Sequence, residues 1–149
     1  MGGMEAFAQV GEAIRATRSK LEKTRSLGEY FAGLDDAELA TAAIFFSARP
    51  FADRDQRKLN LGYSVIRAVV CALAGVEEQT LGESYMRHSD VGDVIQEILE
   101  GHTHPRPTTI TEVRDGFEEL HGERTLKKKV AALQALLDRL TPVEAKYVV

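Results

Sequence analysis

Apolar side chains recur every three or four positions along most of this chain, and polar, glycine or proline breaks cut the pattern into helix-sized pieces. Phe7, Val10 and Ile14 share one face of a first helix over about Glu5 to Thr17. Ser19 stands three residues before Glu22, which is capping-box spacing for a second helix with Leu21, Leu27, Phe31 and Leu34 as its buried stripe and Thr24 on the border. Asp35 and Glu38 repeat the device for a third helix through about Phe46, with Leu39, Ala42, Ala43 and Phe46 on one face. Arg49-Pro50-Phe51 breaks the pattern, because proline has no amide donor and disfavours helix in the residue before it. A charged connector runs on to Lys58. Leu59 to Ala74 is then the most hydrophobic segment, apolar around most of its circumference, and predicts a helix at the centre of a bundle, stopped by Gly75.

Glu77 to Ser89 predicts a short helix containing Leu81, Tyr85 and Met86. Ser89 or Asp90 starts the next, whose stripe of Val91, Val94, Ile95, Ile98 and Leu99 ends near Gly101. His102 to Pro107 reads as a connector. Thr109 caps a helix that packs Val113, Phe117 and Leu120 and stops at Gly122, with Glu112 at capping-box spacing. Thr125 caps another, with Leu126, Val130, Leu133, Leu137 and Leu140 as its stripe. Thr141-Pro142-Val143-Glu144 joins a threonine cap, a proline at the first helical position and a box glutamate. The uncapped apolar end, Tyr147-Val148-Val149, leads us to expect a piece excised from a longer protein.

Two of these stretches are copies. The segment from Arg18 aligns without a gap on the segment from Arg124, an offset of 106 residues, pairing Ser19 with Thr125, Lys23 with Lys129, Leu27 with Leu133, Leu34 with Leu140 and Glu38 with Glu144. We expect an all-α fold, one compact multi-helix domain of residues 1–149 with two pseudo-symmetric helical repeats at about 5–46 and 111–149.

Composition narrows the reading. A chain of 149 residues fits one core, and its single cysteine, Cys71, lies in an apolar run where a buried thiol is expected and no disulfide framework is possible within the chain. No stretch approaches the roughly 20 apolar residues of a membrane span. We expect a monomer in a reducing compartment, cytoplasmic or associated with the nucleoid if the source is bacterial. A formal charge of −4 does not announce a nucleic-acid binder, but the charge is segregated. Basic residues gather at 15–25, 49–58 and 124–129, and acids dominate 77–100.

The first and third basic groups coincide with capped helix starts, where exposed amides and the helix dipole favour an anion. Arg18, Ser19, Lys20, Lys23 and Arg25 form one candidate phosphate site, and Arg124, Thr125, Lys127, Lys128 and Lys129 the other. Three consecutive lysines cannot all face one strand, so Lys127 or Lys128 is expected to face solvent. Duplex DNA offers two equivalent backbones, one for each turn.

The chain resembles the N-terminal helical DNA-binding domain of ATP-dependent DNA ligases over essentially its whole length. SKLEKT at Ser19 to Thr24, ARPF at Ala48 to Phe51, SDVGDV at Ser89 to Val94 and LTPVEAKYVV at Leu140 to Val149 support this, the last most strongly. The resemblance implies a domain that grips the minor groove around a nick, in DNA replication, repair or recombination, for a larger enzyme with C-terminal nucleotidyltransferase and OB-fold domains. Ser19, Lys20, Lys23, Thr125 and Lys129 become the preferred contacts, with Arg49, Arg54 and Lys58 extending the surface. Glu123 departs from the glycine or serine common in relatives and is expected to weaken phosphate binding locally or to engage Arg124. Phe51 is assigned to the core.

No KxDG lysine motif, Walker motif or Rossmann glycine pattern occurs, so no catalytic residue is assigned. The domain itself is expected to need no cofactor or metal, and ATP and Mg2+ are implied for the full-length parent. Asp90 and Asp93 are explained by capping and the helix dipole rather than by a metal. The histidines form no ligand cluster. The alternative function is a helical protein-interaction scaffold without intrinsic catalysis.

Overall fold

Helix starts fall where short polar side chains can close the first turn. The computed structural model describes residues 3–47, 50–51 and 62–148. Within them run nine helices: α1 (Met4–Ala16), α2 (Lys20–Ala32), α3 (Asp36–Phe46), α4 (Tyr63–Ala74), α5 (Glu78–His88), α6 (Val91–Leu99), α7 (Ile110–Gly122), α8 (Leu126–Asp138) and α9 (Pro142–Val148). Among the described residues there is no sheet. A single antiparallel bridge joins Gly3 to Thr109, the residues before α1 and α7, where Met4 N donates to Thr108 O at 2.6 Å.

Ser19, Asp35, Asp90, Thr109, Thr125 and Thr141 each accept a bond from the amide three residues on, satisfying a donor the helix cannot use. The reciprocal box closes at Asp35 with Glu38 and at Thr141 with Glu144, whose carboxylates accept from the cap amides at 3.0 and 2.8 Å. It does not close at Ser19. Glu22 instead accepts from the Thr17 hydroxyl at 2.5 Å, and Thr17 Oγ1 in turn accepts from Ser19 N at 3.2 Å.

One continuous core joins the helices. α1 supplies Met4 and Phe7, α7 supplies Ile110, Val113, Phe117 and Leu120, α8 supplies Leu133, Leu136 and Leu137, and α6 supplies Val94, Ile95, Ile98 and Leu99. Each such side chain contributes about 1.5–3 kcal/mol by leaving water. Phe7 is stacked on Phe46, with centroids 4.3 Å apart, and is edge-on to Tyr30 and Phe45. Phe45 also meets Phe117 edge-on, and Phe51 is buried with its ring edge-on to His121, which places it in the core as expected.

Four expected core assignments are corrected. Leu21 is 84% exposed and Leu126 is 64% exposed: each stands in the first turn of its helix, and burial begins further along, at Tyr30 on α2 and at Leu133, Leu136 and Leu137 on α8. Ala43 on α3 is exposed while Thr41 and Ala42 are buried. α4 buries Val65, Val69, Val70 and Ala74 but leaves Tyr63, Ala68 and Ala72 exposed, so it packs on one side rather than lying enclosed. Gly75 ends α4 as expected, in the left-handed conformation that glycine adopts without a Cβ penalty.

Helix starts recur at the 106-residue offset, Met4 with Ile110, Lys20 with Leu126 and Asp36 with Pro142. Tertiary packing is not a plain copy of this. α1 packs on α2 and α7 on α8, but α3 lies on α7 and α9 lies on α1, and α9 and α8 are further covered by α6 and α4. The connector before α7 is strapped to the end of α8. Thr103 Oγ1, His104 N and Arg106 N donate to the Leu140, Asp138 and Arg139 carbonyls at 2.8, 2.7 and 3.1 Å, occupying acceptors a helix end leaves open.

Candidate nucleic-acid interface

Each basic turn is three residues between helices, with an arginine in the middle and extended backbone at either end. Thr17 and Ser19 have extended backbone between α1 and α2, and Glu123 and Thr125 do between α7 and α8. The Ser19 and Thr125 hydroxyls accept from Glu22 N and Lys128 N at 3.3 Å each. The bracing around the caps differs. Where the first turn has Thr17 bonded to Glu22, the same positions 106 residues on hold Glu123 and Lys128, which are not bonded to each other; the acid of the first turn is spent on a hydroxyl.

The cations divide by their partners. Arg15, Arg67, Arg87, Arg114, Arg139 and Lys146 all form ion pairs. Arg18, Lys20, Lys23 and Arg25 of the first turn, and Arg124, Lys127 and Lys128 of the second, form none among the described residues. All seven are exposed except Lys23, which is half-buried, as is its counterpart Lys129. Lys129 is not free of partners. Lys127 and Lys128 are both exposed, while Glu123 forms no ion pair with Arg124. Arg49, Arg54 and Lys58 lie outside the described residues.

Sequence reasoning missed a polar joint beside the first turn. Arg15, in the last turn of α1, donates through both Nη atoms to Asp93 on α6 at 2.7 and 2.6 Å. Lys146 of α9 lies 3.1 Å from both Asp93 Oδ1 and Glu12 Oε1, with only 8% of its side chain exposed. The Arg15 hydrogen bonds hold the Asp93 carboxyl well below the usual carboxylate range, with Lys146 adding to the effect against the cost of burial. The same bond raises the Arg15 guanidinium. Tyr147 completes the joint by packing closely on Gly11, where a Cβ would stand 2.5 Å from Cε1. Asp93 and Lys146 belong to the two segments SDVGDV and EAKY, so these distant motifs are neighbours. Their composition hinted at a role, but their contact is tertiary.

A second carboxylate, Glu97, collects Ser84, Arg87 and His88 from α5. The Ser84 hydroxyl and then Arg87 bring its pKa down to about 2. Here the carboxylate is the hub and the serine is buried, so the cluster fastens α5 to α6 and has no nucleophile on offer. Among the described residues no group of three or more His, Cys, Asp or Glu side chains could hold a metal ion, and no helix is long and apolar enough to cross a membrane.

The fold and these turns define an all-helical domain with unpaired cations at capped helix starts. Residues 4–149 match the family described as the DNA ligase N terminus, and the chain belongs to that family. A "probable DNA ligase" of Koribacter versatilis is 35% identical over 148 residues, covering 98% of this chain and 26% of that protein. The DNA ligase of Methanopyrus kandleri is 27% identical over 152 residues, covering 97% and 27%. A "probable DNA ligase" of Opitutus terrae is 41% identical over 93 residues, covering 62% and 9%. The chain thus spans about a quarter, or less, of the length of these relatives. It contains no KxDG motif of its own.

Proposed function

We propose that this domain binds duplex DNA without base-sequence preference, setting its two basic turns on the phosphates that border the minor groove around a nick. It thereby positions the nick for the nucleotidyltransferase core of an ATP-dependent DNA ligase. The observation that supports this is the clustering of unpaired cations: among the described residues those named at the two turns, Lys129 aside, form no ion pair, whereas elsewhere every described Lys or Arg except Arg106 has an acid partner. A cluster of exposed, unpaired positive side chains creates a local positive potential that attracts a polyanion even on a chain of net negative charge. Arg18, Ser19, Lys20, Lys23 and Arg25 serve one strand. Arg124, Thr125, Lys127, Lys128 and Lys129 serve the other, with Arg49, Arg54 and Lys58 extending the surface.

The exchange of third helices, α3 onto α7 and α9 onto α1, supports an approximate two-fold relation between the units at 5–46 and 111–149. A pseudo-two-fold protein suits a duplex, whose two backbones are themselves related in that way. Sealing chemistry, with its ATP and Mg2+, belongs to the nucleotidyltransferase and OB-fold domains of the parent.

A salt series with intact, nicked and single-stranded DNA tests the proposal. Native protein should bind duplex DNA with an affinity that falls steeply with salt, and Lys23→Ala and Lys129→Ala should each lower the logarithmic slope by about 1. A folded double variant that binds as the native chain does at every salt concentration would reject these contacts. Capture of a protein without DNA, in place of duplex binding, would favour the scaffold reading.

A further inference from the structure

Five large apolar side chains are exposed among the described residues, and two of them, Leu21 and Leu126, stand in the first turns of α2 and α8 amid the unpaired cations. The others, Tyr63, Tyr85 and Met86, lie on α4 and α5. We infer that Leu21 and Leu126 are the apolar half of the DNA-binding surface and rest on deoxyribose, between the phosphates held by the neighbouring lysines and arginines. The inference deepens the proposed function and depends on it.

A lone exposed leucine needs no explanation. Here the same feature occurs once in each unit, within one helical residue of the corresponding position. Neither leucine serves its own helix, since Tyr30 faces the core from α2 and Leu133, Leu136 and Leu137 face it from α8. A polar residue at either place would keep the helix start intact. The edge of a DNA groove alternates anionic phosphate with the apolar C–H faces of the sugars, and each turn here sets one leucine among cations: Leu21 with Arg18, Lys20 and Lys23 in one, and Leu126 with Arg124 and Lys127 in the other. Leucine has no hydrogen-bonding group and so reads no base, which fits sequence-independent binding. It also gives a means of preferring DNA, because ribose places a hydroxyl on the shallow groove surface that a leucine would desolvate without replacing its hydrogen bonds.

The test compares the native 149-residue chain with Leu21→Gln/Leu126→Gln and Leu21→Met/Leu126→Met double variants, on DNA and RNA duplexes of one sequence across a salt series. Both sites are exposed, so the fold should persist in each variant, and circular dichroism checks it. The glutamine variant should lose about tenfold in DNA affinity with an unchanged salt slope and a narrowed preference for DNA over RNA. The methionine variant, still apolar, should retain both. Native-like DNA binding by the glutamine variant overturns the inference, as does a loss accompanied by a smaller salt slope, which would mean displaced cations. Loss of binding in the lysine variants alone removes this inference and leaves the proposed function standing. Absence of duplex binding by the native chain removes both.

Discussion

Asp93 grips Arg15 with both carboxylate oxygens across 78 positions of sequence and holds the Lys146 ammonium 3.1 Å away on its inner side. Three helices, α1, α6 and α9, meet at this one carboxylate, a few residues from the first basic turn. Replacing Asp93 with asparagine keeps the shape and removes the charge, leaving a nearly buried ammonium with Glu12 as its remaining acid. The expected cost is about 1–3 kcal/mol, because the stranded cation loses more than the pair gained. Thermal unfolding of Asp93→Asn should show a midpoint several degrees lower. An unchanged midpoint would mean the network contributes nothing net.

The depressed carboxylates make stability depend on acid in a definite direction. Glu97 titrates near its ordinary 4.5 when unfolded and at about 2 in the fold, chiefly because Ser84 and then Arg87 bond its charged form. Unfolding at pH 3 therefore takes up protons, so the Glu97 contribution is present above about 4.5 and is lost as the pH falls toward 2. Asp93 acts in the same sense and lower still. Denaturant midpoints measured from pH 6 to pH 2 should fall through this window, and the fall should be shallower in Glu97→Gln. Parallel curves for the two proteins would contradict the assignment.

Two glycines in helices should respond oppositely to alanine. At Gly11 the new Cβ would meet the Tyr147 ring at 2.5 Å, forcing α9 off α1 at a cost of about 1–3 kcal/mol. At Gly28, inside α2, nothing lies within 4 Å, so alanine should stabilise by about 0.5–1 kcal/mol through lost freedom in the unfolded chain. Urea unfolding of both variants checks the pair, and equal shifts of the same sign would defeat it.

The threonine cap of α8 can be tested apart from DNA. Thr125→Ala should cost about 1 kcal/mol by leaving the Lys128 amide unsatisfied, and Thr125→Ser should restore most of it. If the alanine variant is as stable as the native chain, the hydroxyl is held there for another purpose.

Much of this molecule is written within four-residue windows. Ser19, Asp35, Asp90, Thr109, Thr125 and Thr141 could be named as caps because cap and acceptor lie three residues apart and no distant contact is needed. The two basic turns were legible for the same reason, as were Gly75 and the connector at 102–107. What periodicity could not give was the choice among apolar faces. α2 carries Leu21, Leu27, Phe31 and Leu34 on one reading, yet Tyr30 is the side chain that a neighbour covers and Leu21 is left in water.

Helix identity, helix ends and the offset of 106 between the two units came from local sequence, since backbone hydrogen bonds and caps act over one turn. The Arg15 to Asp93 pair, the seating of Lys146 between Asp93 and Glu12, the fit of Tyr147 on Gly11 and the exposure of Leu21 and Leu126 came only with the packed chain. Each depends on where a second helix lies, and that is decided by the summed burial of many side chains rather than by any residue's neighbours in sequence.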